Sequence, residues 1–225
     1  MKMEFFLVLV VVLGVLVAAC RDASEPQPVE AEQGTPSLTI AAVGDSLTAG
    51  YGVAESEAYP ALLETKLQSA GLDVRVVNAG VSGETTSGTL ARLDWVLTLA
   101  PDIVILETGA NDGLRGLDPA MVRDNLRQIV DILQGRDIVV VLAGMKMVWN
   151  LGPAYTGEFN RIYPDLAAEK ELIFMPFFLQ GVATDPALNL DDGIHPNPAG
   201  YRIIADNILP FVREAIAVAG SNATR

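Results

Sequence analysis

The chain holds a single histidine, His195, so any imidazole chemistry near neutral pH belongs to that residue. It lies in Asp191-Asp192-Gly193-Ile194-His195-Pro196-Asn197, a polar loop ahead of a last helical pattern. A carboxylate three residues before an imidazole can accept a hydrogen bond from one ring nitrogen. The other nitrogen then remains an acceptor, ready to take a proton from a serine hydroxyl. Asp192 has that spacing, and Asp191 competes for the role. The serine is Ser46, in Val43-Gly44-Asp45-Ser46-Leu47-Thr48-Ala49-Gly50-Tyr51-Gly52. The apolar run Leu38 to Val43 leads into it and stops at Gly44, which places Ser46 on the turn after a strand. By itself Ser46 would be explained as the cap of a following helix, and a lone histidine as a structural one. Serine hydrolysis also needs donors for an oxyanion, each typically worth ~10²–10³ in rate. Three are on offer: the backbone N–H of Ser46, a backbone N–H at Ser82-Gly83, and the side-chain amide of Asn111. The same loops admit a metal-dependent hydrolase built on Asp45, Asp191, Asp192 and His195, although one imidazole makes a poor transition-metal set. They also admit a lipoprotein that binds a partner without catalysis.

These residues need a scaffold, and the hydrophobic pattern supplies one. Strand-like runs at Leu38–Val43, Val74–Val77, Ile103–Leu106, Ile138–Leu142 and Leu172–Met175 alternate with helical segments. The helices expected are Tyr59–Ala70, Ser87–Leu99, one opening at Asp118-Pro119, Phe159–Lys170, and one opening at Asn197-Pro198 that Pro210 kinks or interrupts. Continuously apolar strands alternating with helices mean a parallel sheet covered on both faces. The expected fold is therefore α/β, a flavodoxin-like doubly wound parallel sheet of about five strands. In that architecture the loops at the carboxyl ends of the strands share one edge, and every candidate polar group lies in those loops.

Ahead of the domain, Phe5 to Ala19 carries no charged or polar side chain. That run is too short for a comfortable membrane span and reads as a signal segment, residues 1–19. It ends Leu16-Val17-Ala18-Ala19-Cys20, which resembles the lipobox of bacterial lipoproteins, in which the cysteine is acylated. Residues 20–36 then read as a lipidated cysteine and a proline-rich, acidic tether, 37–218 as the folded domain and 219–225 as a tail. Cys20 is the only cysteine, which excludes disulfides and cysteine-based zinc sites from the domain. A net charge of −13 argues against nucleic acid and against electrostatic docking on anionic lipid. A lipid anchor would make such a protein an exported cell-envelope lipoprotein at the periplasmic face of a bacterial membrane.

Gly44-Asp45-Ser46-Leu47 resembles the first block of the GDSL, or SGNH, hydrolase family. Gly83 matches the glycine of the second block, Gly109-Ala110-Asn111-Asp112 the third, and Asp192 with His195 the last. The four blocks stand in order across nearly the whole domain, and the likeness is closest to the multifunctional periplasmic thioesterase, arylesterase and lysophospholipase group. Gly144 to Tyr155 departs from that group. The resemblance implies that Ser46 is the nucleophile, His195 the base and Asp192 its orienter. It implies an oxyanion hole of Ser46 N–H, Gly83 N–H and Asn111, with no cofactor and no metal. The substrates would be small-molecule or lipid esters and thioesters of short to medium acyl chains, hydrolysed by a monomer. A carbohydrate O-deacetylase is the alternative within the family. Leu114, Met145, Met147 and Trp149 are the candidate walls of an acyl pocket, because they are apolar and lie in the site loops.

Overall fold

The structure is a computed structural model that describes residues 37–147 and 151–222. Cys20, Trp149 and the signal and tether segments lie outside the described residues. The chain order is β1 (Leu38–Gly44), α1 (Ser46–Ala49), a 3₁₀ turn (Glu55–Glu57), α2 (Tyr59–Ser69), β2 (Val74–Gly80), α3 (Thr86–Ala91), α4 (Leu93–Leu97), β3 (Ile103–Glu107), α5 (Ala110–Leu114), α6 (Pro119–Gln134), β4 (Val139–Ala143), α7 (Pro153–Glu169), β5 (Ile173–Met175) and α8 (Pro198–Asn222). The strands form one five-stranded sheet in the order β2-β1-β3-β4-β5, with every neighbouring pair parallel. This is the doubly wound, flavodoxin-like arrangement expected from the alternation of elements. Strand order reverses at β1, between β2 and β3, so the crevice at the carboxyl end of β1 is the place where ligands settle in such sheets.

The sheet is apolar through its centre because helices cover both faces. All of Ile103–Glu107 is buried, and Ile40 to Val43 have no exposed surface. Helix α6 begins at Asp118, whose side chain accepts from Ala120 N–H at 2.9 Å, with Pro119 in the first turn. Its inner stripe Val122, Leu126, Ile129, Val130 and Leu133 is fully buried, as its spacing predicts.

Three helices differ from the sequence expectation. The helix expected over 87–99 is broken at Arg92, which leaves helical geometry with ψ of 9°. Helix α7 starts at Pro153, well before Phe159, and continues through Pro164. An interior proline costs about 3 kcal/mol, but the buried stripe Phe159, Ile162, Tyr163 and Leu166 offers about 1.5–3 kcal/mol per side chain against it. Helix α8 likewise runs through Pro210, and it extends to Asn222, taking in residues 219–222 of the segment read as a tail. Ala219 there is buried in the core. Among the described residues no helix is long and apolar enough to cross a membrane.

Candidate active site

The residues flagged by type and spacing meet at the carboxyl edge of the sheet. Ser46 opens helix α1 immediately after β1, and the Asp45 side chain caps that helix by accepting from Leu47 N–H at 3.0 Å. Two residues before Ser46, Gly44 has no room for a side chain. A Cβ there would run into the carbonyl of Glu107 and the hydroxyl of Thr48. The end of β1 can therefore lie flush against β3, where Gly44 stands opposite Glu107. Gly44 also stands opposite Gly80 of β2, so three strand ends are level. The segments carrying Ser46, Gly83 and Asn111 spring from that common line.

His195 links the two ends of the chain. Its Nε2 lies 2.9 Å from Ser46 Oγ, and its Nδ1 lies 2.7 Å from Asp192 Oδ2. The other oxygen of Asp192 accepts from the backbone N–H of Ile194 at 2.9 Å and of His195 at 3.0 Å. The His195 backbone N–H, then its ring, then the Ile194 N–H hold the Asp192 carboxyl down at about 2. An ionised carboxylate only accepts, so Nδ1 carries the proton and Nε2 is left as the acceptor for the serine hydroxyl. Tyr51 lies against the imidazole with ring centroids 4.6 Å apart and the planes tilted by 40°. Asp191, the competing carboxylate, is exposed, and Asp192 holds the imidazole.

Asn111 is held in turn by Asp45. Its Nδ2 donates to Asp45 Oδ2 at 3.0 Å, which occupies one of its two amide hydrogens and leaves the second free to point elsewhere. Asp45 itself is fully buried. Burial raises its carboxyl to about 6 against the pull of Leu47 N–H, Asn111 and His195. Beneath it lies Glu107, also fully buried and held well above the usual carboxylate range, first by burial and then by the charge of Asp45. Glu107 Oε2 accepts from Thr48 Oγ1 at 2.7 Å, while Oε1 has no hydrogen-bond partner. A neutral carboxyl tolerates that far better than an ionised one. Sequence reading missed Glu107, although an acid ending an otherwise apolar strand is a visible signal.

Gly83 takes φ of +80°, a conformation open to glycine, and Arg115 donates to its carbonyl at 2.7 Å. Gly109 is similarly required. Its φ is +111°, and the hydroxyl of Tyr163 fills the space a side chain would need on its way to Thr108 O at 2.8 Å.

Of the four apolar candidates, the three that lie among the described residues separate. Leu114 is 54% exposed beside the site, and Met147 is half-buried against Gly113 with its N–H held by Asn160 at 2.7 Å. Met145, two residues past the end of β4, is buried in the hydrophobic core. Among the described residues, no group of three His, Cys, Asp or Glu side chains is arranged to hold a metal ion. Asp45 and Asp192 are engaged instead with Asn111 and His195.

A parallel sheet with a serine, histidine and aspartate aligned at its switch point is the frame of an ester hydrolase. The chain belongs to the GDSL-like lipase/acylhydrolase family, which it matches over residues 42–203, from inside β1 to beyond His195. Among its relatives, the arylesterase of Vibrio mimicus is 40% identical over 177 residues, covering 78% of this chain and 88% of that protein. The thioesterase 1/protease 1/lysophospholipase L1 of Escherichia coli K12 is 41% identical over 169 residues, covering 75% of this chain and 80% of that one. The crystal structure of the psychrotrophic esterase EstA from Pseudoalteromonas sp., inhibited by monoethylphosphonate, matches with a TM-score of 0.76 at 32% identity, covering 80% of this chain and 98% of that chain.

Proposed function

We propose that the protein hydrolyses carboxylic esters and thioesters of single, short to medium acyl chains through an acyl-enzyme on Ser46. The observation that carries this reading is the unbroken line from Asp192 through His195 to Ser46 Oγ. In the first half-reaction His195 Nε2 takes the hydroxyl proton as Ser46 Oγ bonds to the acyl carbon, and the negative charge moves to the carbonyl oxygen. The N–H groups of Ser46 and Gly83 and the second amide hydrogen of Asn111 are the donors that would meet that oxygen. His195 then returns the proton to the departing alcohol or thiol. In the second half-reaction the same nitrogen takes a proton from water as the water oxygen bonds to the acyl carbon, then returns it to Ser46 Oγ as the bond to the acyl carbon breaks and the acid leaves. No cofactor or metal enters these steps.

The substrate class is supported by the rim of the site. Tyr51, Leu114 and Ile194 stand in three different segments of the carboxyl edge and are each at least half exposed, at 53%, 54% and 50%. Large apolar side chains held in water beside a nucleophile favour an acyl chain over a sugar. Met147, soft and half-buried, suits chains of varied shape. Thioester and lysophospholipid substrates rest on the likeness to the Escherichia coli relative, which is named for both.

The test is an acyl series from acetyl to decanoyl, as esters and as thioesters, with a fluorophosphonate probe in parallel. Labelling of wild type but not Ser46→Ala, with a rate that climbs with chain length and then levels, is the expected outcome. Each buried methylene is worth about 0.8 kcal/mol. Absence of labelling in folded wild type overturns the mechanism, and a strict acetyl requirement would point to an O-deacetylase. We further propose export and attachment through an acylated Cys20, on the strength of the apolar run that ends there. One chain anchors only marginally, so multiple acylation is required for stable attachment.

A further inference from the structure

Arg92 sits at a break in a helix, and arginine does not break helices by preference. The cause is tertiary. Its guanidinium turns in beneath the ends of β1 and β2, where Nη2 donates to Ala79 O at 2.7 Å and, more distantly, to Gly44 O at 3.5 Å. Its Nε and Nη2 each lie 2.7 Å from one oxygen of Glu84, a two-pronged charge-assisted pair. The pair is largely buried, with side-chain exposure of 17% for Arg92 and 7% for Glu84. Thr89 Oγ1 adds a third donor to Glu84 at 3.0 Å, and Gly88 leaves the space the Glu84 side chain occupies.

Glu84 is the residue after Gly83. The short loop between them and β2 is fastened at three further points. Val81 N–H donates to Gly44 O at 2.9 Å, Glu84 N–H donates to Val81 O at 3.1 Å, and Arg115 donates to Gly83 O at 2.7 Å. Glycine is the residue most free to rotate its flanking peptides, so without fastening, the direction of the Gly83 N–H would be poorly defined. A buried ion pair is a weak source of stability, since desolvation offsets most of the attraction. Its geometry, which ties the Gly83 loop to the end of β2 and, more distantly, to the end of β1 that leads into Ser46, has a clearer use.

We infer that the Glu84–Arg92 pair positions the Gly83 N–H toward the oxyanion, making Glu84 and Arg92 positioning residues of the hydrolase. The inference rests on the proposed role of Gly83. Both side chains act through the backbone and touch no substrate. Losing them should slow acyl transfer without weakening substrate binding.

The experiment compares wild type with Glu84→Gln, which keeps the shape, and Arg92→Lys, which keeps the charge but loses the fork. Acyl-ester kinetics, fluorophosphonate labelling rate and thermal unfolding are read on each. We expect kcat to fall about tenfold in Glu84→Gln and up to about a hundredfold in Arg92→Lys, less than or equal to the loss of one oxyanion donor. KM should stay within about threefold, labelling should slow in step with kcat, and the double variant should lose little more than Arg92→Lys alone. Folded variants with wild-type kcat overturn the inference, as does a loss of kcat matched by the unfolded fraction. Wild-type labelling at Ser46 alongside either result leaves the hydrolase reading standing, so the two failures are distinguishable.

Discussion

His195 spends one ring nitrogen on Asp192 and the other on Ser46, and this decides how single substitutions behave. Ser46→Ala and His195→Ala should each remove nearly all turnover, and the double variant should lose little more than either alone, because the two act in one proton transfer. Asn111→Ala should leave weak activity, since the backbone donors remain; steady-state kinetics on purified folded variants check both. Asp192, held at about 2, keeps its charge well into the acid range. Its contribution to stability is present above the unfolded carboxylate range and is lost as pH falls toward 2. Asp45 has the opposite sign. Its folded value is raised to about 6, so its neutral form stabilises the fold at low pH, and that contribution fades as pH rises from about 4 through 6. Asp45→Asn should flatten the part of the stability profile that declines across this window, as read by thermal melts from pH 4 to 7.

Among the elements, the level ends of β1, β2 and β3 carry the greatest constraint. Gly44→Ala would push a methyl group into the Glu107 carbonyl, a backbone atom that cannot rotate away. A loss of about 2–3 kcal/mol or more is expected, with activity falling alongside, measured by denaturant unfolding. By contrast Leu126→Ala, on the buried stripe of α6, should cost about 2–5 kcal/mol while leaving the rate per folded molecule unchanged. The fold itself was legible in the chain because buried parallel strands read as continuous apolar runs, and Ile103 to Leu106 or Ile138 to Leu142 admit little else. Helix ends were legible where local chemistry sets them, as at Asp118-Pro119. They were not legible where a distant partner decides, as at Arg92 or through Pro164. Residue type and spacing made Ser46, Asp192 and His195 candidates with Asp191 still competing, and the resemblance of the four ordered blocks paired them. Glu84, Arg92 and Tyr51 could not be singled out, because their partners lie in other segments and their residue types are ordinary for an exposed surface.

At the scale of the whole molecule, the chain enters the domain at the amino edge of the sheet and places its nucleophile at the carboxyl edge, one strand length away. With about 3.3 Å per residue, the seven residues of β1 separate the two by roughly 23 Å. If Cys20 is acylated, wild type should fractionate with membranes and Cys20→Ala should not. Equal release of both into the soluble fraction would remove the anchor from the proposal. The net charge of −13 adds a second expectation, that association with anionic vesicles is weak unless the acyl group is present. Vesicle flotation of the domain lacking residues 1–36 measures this directly.

A solitary imidazole has an experimental use of its own. The ring that lies between Asp192 and Ser46 is the only one in the chain, so a nitrogen-15 histidine label gives one pair of ring resonances that needs no assignment. Those two lines report which nitrogen is protonated. They would follow the ring through the resting enzyme, the phosphonate adduct and the acyl-enzyme, an atomic record of turnover from an unmutated protein.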